Sequence, residues 1–187
     1  MANLSLDNVE MSPKTTEILE NTKMALGFIP NMYKKLGANT ALLDAYTYSY
    51  KSFRDNAGFT PVEQEVIFLT GAYENNCEYC VAAHSFIADE MTKVPAEITD
   101  AIRGGQPINN PKLAALSKLT RLLTVNRGDV SKDEIDNFLA AGYSESHVLG
   151  IIAGIAVKAM SNYSNRQTNP ELDSTFDGKV WKSSKLV

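Results

Sequence analysis

Residues 60–86 read TPVEQEVIFLTGAYENNCEYCVAAHSF. The stretch holds the clearest helix start in the chain and both of its cysteines. Thr60-Pro61-Val62-Glu63 has the pattern of a capping box: Thr60 can bond the amide three residues on and Glu63 can reach back. Pro61 stands where a missing N–H does no harm. That helix is predicted to run to about Tyr73. Asn75 and Asn76 then break it and cap a second helix, which starts at or beside Cys77 and runs to about Met91. Two helices with so short a link are expected to fold back on one another.

The rest of the chain repeats the pattern. Ser12-Pro13 opens a helix stopped by Gly27, and a short helical piece spans Met32 to Leu36. Asn39-Thr40 caps a longer helix through Leu42, Leu43, Tyr46 and Phe53. Pro95 and Pro111 start two more, and Ser131-Lys132-Asp133-Glu134 reads as a second capping box. Ser144 or Ser146 caps the last long helix, which reaches Met160. No stretch alternates strictly enough to be a strand. The class is all-α. The expected organisation is an N-terminal helical arm over 1–38, a helical core over 39–169 and a polar tail over 170–187, within one structural domain. The tail reads as an arm that needs a surface to lie on. The leucine stripe from Leu113 to Leu123 and the apolar helix from Val148 to Met160 read as core or subunit interface, and no cofactor is expected.

The 187 residues carry a formal net charge of −4. No basic block or basic helix face stands out, which argues against nucleic acid and anionic membrane as partners. No apolar run approaches the ~20 residues that span a bilayer. The opening MANLSLDNVEMSPK lacks the basic-then-apolar profile of a signal peptide. A cytoplasmic location is the expectation, and there a close cysteine pair is more often catalytic or metal-binding than a permanent staple.

On a helix, Cys80 lies about 60° behind Cys77 and His84 about 20° behind it, so the three side chains share one stripe. With Asn75 or Asn76 as cap, both cysteines fall in the first turn, where free amides and the helix dipole favour thiolate. His84, four residues after Cys80, can approach that sulfur or a water beside it and carry protons. Glu65 shares an apolar stripe with Val62, Val66 and Leu69, so its carboxylate points to a face expected to be buried and needs a partner there. The antiparallel pairing would bring it near His84. Three readings stay open at this point: a redox dithiol with a Glu65–His84 relay, two buried thiols, or a metal clamp with Glu65 as fourth ligand. Zinc sites usually draw two ligand pairs from separate segments, and no second pair occurs here. Tyr79 is expected to line a pocket beside Cys80, and His147 to be a solvated residue without a role.

Glu65, with Cys77 twelve positions later, then Cys80 and His84, resembles the core motif of the alkylhydroperoxidase AhpD-like family, within the carboxymuconolactone decarboxylase superfamily. The matching text is EVIFLTGAYENNCEYCVAAH. LGFIPNMYKKL and AGYSESHVLGIIAGIAVKAMSNYSN resemble the peroxidase-related branch. The resemblance implies an AhpD-like helical bundle that assembles as a homo-oligomer, a trimer or a hexamer, and an antioxidant thiol peroxidase. Cys80 would attack a hydroperoxide, Cys77 would resolve the sulfenic acid as a redox-active disulfide, and Glu65 and His84 would relay protons. A dithiol or protein reductant would then restore the thiols. AhpD itself has histidine just before the second cysteine, where this chain has Tyr79. Decarboxylases of the superfamily lack the dithiol, which disfavours decarboxylation. The rival readings are a disulfide reductase or redox adaptor using the same dithiol, and a metal-binding or assembly module.

Overall fold

The computed structural model describes residues 3–6 and 9–183. Among them there is no strand, and the chain is built of helices. Helix α1 (Pro13–Leu26) starts where Ser12 Oγ accepts the Thr15 amide and stops at Gly27, whose φ of 83° only glycine adopts freely. Helix α2 spans Asn31–Leu36 and α3 spans Thr40–Asn56, capped by the Asn39 side chain on the Leu42 amide. Helix α4 (Pro61–Glu74) carries the predicted capping box of Thr60 and Glu63. Helix α5 (Glu78–Phe86) runs on into one wide turn of π type at Ile87–Met91. Helices α6 (Ala96–Arg103), α7 (Pro111–Val125), α8 (Lys132–Ala140) and α9 (Glu145–Thr168) follow, with a 3-10 turn at Ser174–Lys179. No single helix among the described residues is long and apolar enough to cross a membrane.

Two helix starts differ from expectation. Cys77 itself caps α5, and Asn76 turns the chain at φ 53° instead of capping. Cys80 is therefore the third residue of the helix, with Cys77 just outside it. At Ser131 half of the expected capping box forms: Ser131 Oγ accepts the Glu134 amide, but the Glu134 carboxylate pairs with Lys118 at 2.7 Å.

Helix α4 is the centre of the fold. Every residue from Glu63 to Ala72 is buried, which is why its apolar residues run nearly all round. It packs against α5, α6, α7 and α9. Phe68, Leu69 and Ile67 meet Leu116, Leu119 and Ile151 in a core where each such side chain contributes ~1.5–3 kcal/mol. Two glycines set how closely α9 crosses α4. A Cβ on Gly154 would stand 2.8 Å from Ile67 Cγ2, and one on Gly71 would stand 3.4 Å from Lys158 Cγ. The bare backbone at both places lets α9 lie low enough to bring Lys158 into the core.

The described part of the C-terminal arm, up to Ser183, does lie on a surface, and that surface is the rest of the same chain; 184–187 fall outside the described residues. Phe176 is buried against Tyr79, Phe86 and Phe28. Trp181 Nε1 donates to the Arg103 carbonyl at 2.9 Å, Lys182 meets Glu78 at 2.6 Å and Ser183 Oγ donates to Asn76 at 2.6 Å. The arm's need for a surface is thus met within the chain and gives no reason for a second copy.

Candidate active site

The antiparallel pairing of α4 with α5 brings Glu65 to His84 as expected: Oε2 accepts from Nδ1 at 2.9 Å, with both side chains buried. On the far side of Glu65, Arg54 of α3 reaches Oε1 at 2.5 Å. Arg54 is held in turn by Tyr50 Oη at 2.7 Å and Gln64 Oε1 at 3.1 Å, with its guanidinium over the Phe68 ring. Burial alone would push the Glu65 carboxyl up. His84 and Arg54 outweigh it and hold the group below its ordinary range as a carboxylate.

The sequence reading missed the residue on the other side of the imidazole. Lys158 of α9 is 1% exposed, and its Nζ lies 2.8 Å from His84 Nε2. An ammonium only donates, so Nε2 accepts, and the ring proton sits on Nδ1 facing Glu65. His84 is neutral: burial first, then the Lys158 charge, bring its pKa down to about 4 against the pull of Glu65. Both ring nitrogens are in use, on Glu65 and on Lys158, and neither touches a sulfur.

Helices α5 and α9 face each other with reversed spacing. Cys77, Cys80 and His84 stand three and four apart; Asn165, Asn162 and Lys158 stand three and four apart running backward. Asn165 Nδ2 donates to Cys80 Sγ at 3.2 Å and to Cys77 Sγ at 3.6 Å, while Lys158 meets His84. Both cysteines are buried free thiols. They titrate in opposite directions. Burial raises Cys77, and the neighbouring Cys80 raises it further. Burial also opposes ionisation of Cys80. There the Cys77 hydrogen bond, the Lys158 charge and the nearby Asn162 and Ser161 win, and the pKa falls to about 6. At neutral pH the pair is one thiolate, Cys80, beside one thiol, Cys77.

Tyr79, between the cysteines, points the other way. Its hydroxyl donates to the buried Asp173 of the C-terminal arm, which also accepts the Asn31 amide at 3.1 Å. Tyr79 and Cys77 line a cavity of about 600 Å³ whose outer wall is the arm itself, at Leu172, Val180 and Trp181. Asn165 lines it too, and so stands between this space and Cys80. Among the described residues no three His, Cys, Asp or Glu side chains converge as a metal clamp requires. His147 is not the idle residue expected: its Nδ1 accepts the Ser144 amide at 3.1 Å and Nε2 meets the Gly58 carbonyl at 3.3 Å, tying the start of α9 to the loop before α4.

No family model matches the chain, and no curated protein matches it. Solved structures match along nearly its whole length. An uncharacterized peroxidase-related protein from Silicibacter sp. TM1040 superposes with a TM-score of 0.79 at 17% identity, covering 95% of both chains. A second, from Ralstonia eutropha JMP134 and described as an alkylhydroperoxidase AhpD core, gives 0.79 at 20% identity over 97% of both. The debrominase Bmp8 gives 0.72 at 19% identity, covering 92% of this chain and 96% of its own. A cysteine-to-alanine variant of Bmp8 was solved in complex with 2,3,4-tribromopyrrole. At these identities the likeness is one of fold, and the fold is the all-helical AhpD-like one.

Proposed function

We propose that this chain is a thiol-dependent peroxidase that reduces hydroperoxides through Cys77 and Cys80. The observation that carries the reading is the buried line Arg54–Glu65–His84–Lys158, which ends beside the one cysteine held as a thiolate. The Cys80 thiolate attacks the terminal oxygen of R–O–O–H. An S–O bond forms, the O–O bond breaks, and the departing alkoxide takes a proton from Lys158 to leave as alcohol. Cys77 then attacks the sulfenic acid; the S–S bond forms, and the S–O bond breaks. Lys158 accepts the Cys77 proton and returns it to the departing hydroxide as water. The cycle leaves a neutral lysine beside an uncharged disulfide. A dithiol or a protein reductant supplies two electrons, and two protons restore the thiol and the thiolate–ammonium pair. Glu65 and His84 keep Lys158 aimed between turnovers. The cytoplasm, a reducing compartment, keeps such a dithiol in use.

Anaerobic rapid mixing of the reduced protein with a hydroperoxide, followed by thiol counting, tests this. Two thiols per chain should disappear in the wild type and none in Cys80→Ser; unchanged turnover in that variant rejects the reading. A redox adaptor has one observation in its favour. Cys77 lines the cavity while Cys80 does not, as a mixed disulfide with a partner protein would need. Exchange with protein disulfides that outruns reaction with hydroperoxide would favour it. Because Bmp8 shares the fold, 2,3,4-tribromopyrrole belongs in the substrate panel.

Self-association, as a trimer or hexamer, belongs to the same proposal. Its support is an exposed apolar face on α3 and α9: Tyr48, Leu149 and Ile152 are 76%, 68% and 46% exposed around small Ala153 and Ala156. Sedimentation that finds only a 20.5 kDa particle removes it.

A further inference from the structure

The cavity of about 600 Å³ under the C-terminal arm has Cys77 in its wall, while Cys80 lies outside the lining. Four charged residues also line it: Glu78, Arg166, Asp177 and Lys182. Lys182 and Glu78 satisfy each other at 2.6 Å. Arg166 of α9 and Asp177 of the 3-10 turn have no ion pair or hydrogen bond among the described residues. The same wall holds a buried atom in need of a partner. Asn165 is 6% exposed; its Nδ2 donates to the two sulfurs, but its Oδ1 accepts nothing. A buried carbonyl without a donor is costly, and a fold keeps few such atoms. Much of the remaining wall is apolar, with Ala82, Leu172 and Trp181. A free cation, a free anion, an idle amide acceptor and one sulfur thus share a space of ordinary ligand-site size.

That set is the complement of a small cysteinyl peptide, which carries a carboxylate, an ammonium and an amide N–H close to its sulfur. We infer that the cavity binds a zwitterionic, low-molecular-weight cysteinyl thiol, which reduces the Cys77–Cys80 disulfide by attack on Cys77. The inference rests on the dithiol of the peroxidase reading and adds a class of reductant to it. The Arg166 guanidinium takes the carboxylate through paired N–H donors. Asp177 takes the ammonium, and Asn165 Oδ1 accepts the amide N–H. Asn165 Nδ2 stands 3.6 Å from Cys77 Sγ, so an amide held on its Oδ1 brings the attached thiol to that sulfur. The ligand's thiolate attacks Cys77 Sγ; an S–S bond forms between them, the Cys77–Cys80 bond breaks, and Cys80 leaves as thiolate. Exchange favours the leaving sulfur of lower pKa, and Cys80, at about 6, is that sulfur. The chemistry selects for attack the same cysteine that the cavity presents. A second molecule of the thiol then attacks the ligand sulfur of the mixed disulfide, Cys77 departs, and the ligand leaves as its own disulfide. The first thiol's proton restores the Lys158 ammonium and the second's restores the Cys77 thiol. Two small thiols are oxidised for each protein disulfide reduced. A cysteine within a partner protein's chain lacks that pair of end charges, so a free thiol fits the cavity better.

Oxidation with diamide makes the disulfide without any hydroperoxide, so the test stands apart from the peroxidase reading. Reduction of that protein is followed in stopped flow by the return of thiolate absorbance. Four thiols are compared at equal thiolate concentration. Glutathione carries both charges, N-acetylcysteine only the carboxylate, cysteamine only the ammonium, and 2-mercaptoethanol neither. The glutathione rate should saturate with concentration and exceed that of 2-mercaptoethanol on the order of tenfold. Arg166→Met should slow glutathione and N-acetylcysteine roughly fivefold relative to cysteamine. Asp177→Asn should slow glutathione and cysteamine roughly fivefold relative to N-acetylcysteine. Both residues are exposed, so neither change disturbs the core. Losses equal for every thiol, or no loss at all, would overturn the proposal. So would a disulfide that diamide cannot form. Rapid reduction by thioredoxin with no preference among the four small thiols would place the reductant in a protein, and would overturn it too. A wild type that glutathione reduces as expected, but that then reacts with no hydroperoxide, defeats the peroxidase reading alone.

Discussion

Helix α4 buries two glutamates, Glu63 and Glu65, two positions apart, and both are held below the ordinary carboxylate range although burial pushes each of them up. Their partners differ. Glu63 accepts the Thr60 amide and hydroxyl at 2.9 Å each, the Tyr143 hydroxyl at 3.0 Å and Lys112 at 3.1 Å. Those groups fix the start of a helix and the loop before α9, and the set leads to no reactive atom. Glu65 is held by Arg54 and His84, and from His84 the contacts continue to Lys158, whose charge favours the Cys80 thiolate. Burial and a depressed pKa are common to both acids. The identity of the next residue along the contacts separates a cap from a site.

Removing each carboxylate charge is the sharpest test of that distinction. Glu65→Gln leaves the largely buried Arg54 without its counter-charge, and a buried pair broken from one side costs ~3 kcal/mol or more. Thermal melts should show that loss, and hydroperoxide turnover should fall with it. Glu63→Gln keeps most of the cap geometry and should cost about 1 kcal/mol with turnover retained. Equal losses of activity in the two variants would erase the contrast between the acids.

A smaller effect comes from His84. Its folded pKa, about 4, lies below the ordinary 6.5, so the unfolded chain binds more protons between those values. Stability from the neutral buried ring is complete above pH 6.5 and is lost as pH falls to about 4, a span worth up to ~3 kcal/mol. Denaturant melts across that window should weaken steeply in the wild type and less in His84→Asn. Parallel curves would mean that other groups set the acid limb.

How much of this could be read from the chain depends on distance along it. Glu65, Cys77, Cys80 and His84 were legible because they lie in two successive helices, and the 3.6-residue period alone puts them on facing stripes. Arg54, Lys158, Asn162 and Asn165 come from α3 and α9, and no local pattern says which helix crosses which. A trace of α9's part was nonetheless present. Lys158 falls within about 40° of Ile151 and Gly154 on the wheel, a charge on the buried face of an apolar helix. The spacing Lys158, Asn162, Asn165 also reverses that of the cysteine helix. The tail was legible as a segment in need of a surface. That the surface is α5, with Asp173 on Tyr79, depends on a contact 94 residues apart.

Lys158→Met removes the charge beside the thiolate while keeping the side chain's length. Cys80 should then rise from about 6 toward the ~8.5 of a free thiol. At pH 7 its thiolate fraction should drop roughly thirtyfold, read by ultraviolet thiolate absorbance. An unmoved titration would mean that Cys77, Asn162 and Ser161 suffice, and that the line of contacts from Arg54 ends at His84.

The smallest effect is expected at the other histidine, which brings the comparison back to the structural side of α4. His147 uses both ring nitrogens, as His84 does, but on the Ser144 amide and the Gly58 carbonyl, and its ring packs on Phe59 at 4.9 Å between centroids. No contact of His147 reaches the dithiol. His147→Ala should therefore cost about 1 kcal/mol, the worth of a lost helix cap, and leave the Cys80 titration and the hydroperoxide rate unchanged. A Cys80 titration that moves in this variant would show that the start of α9 sets the position of Lys158 and the two asparagines further along the same helix. The cap and the site would then be coupled through the helix that carries both.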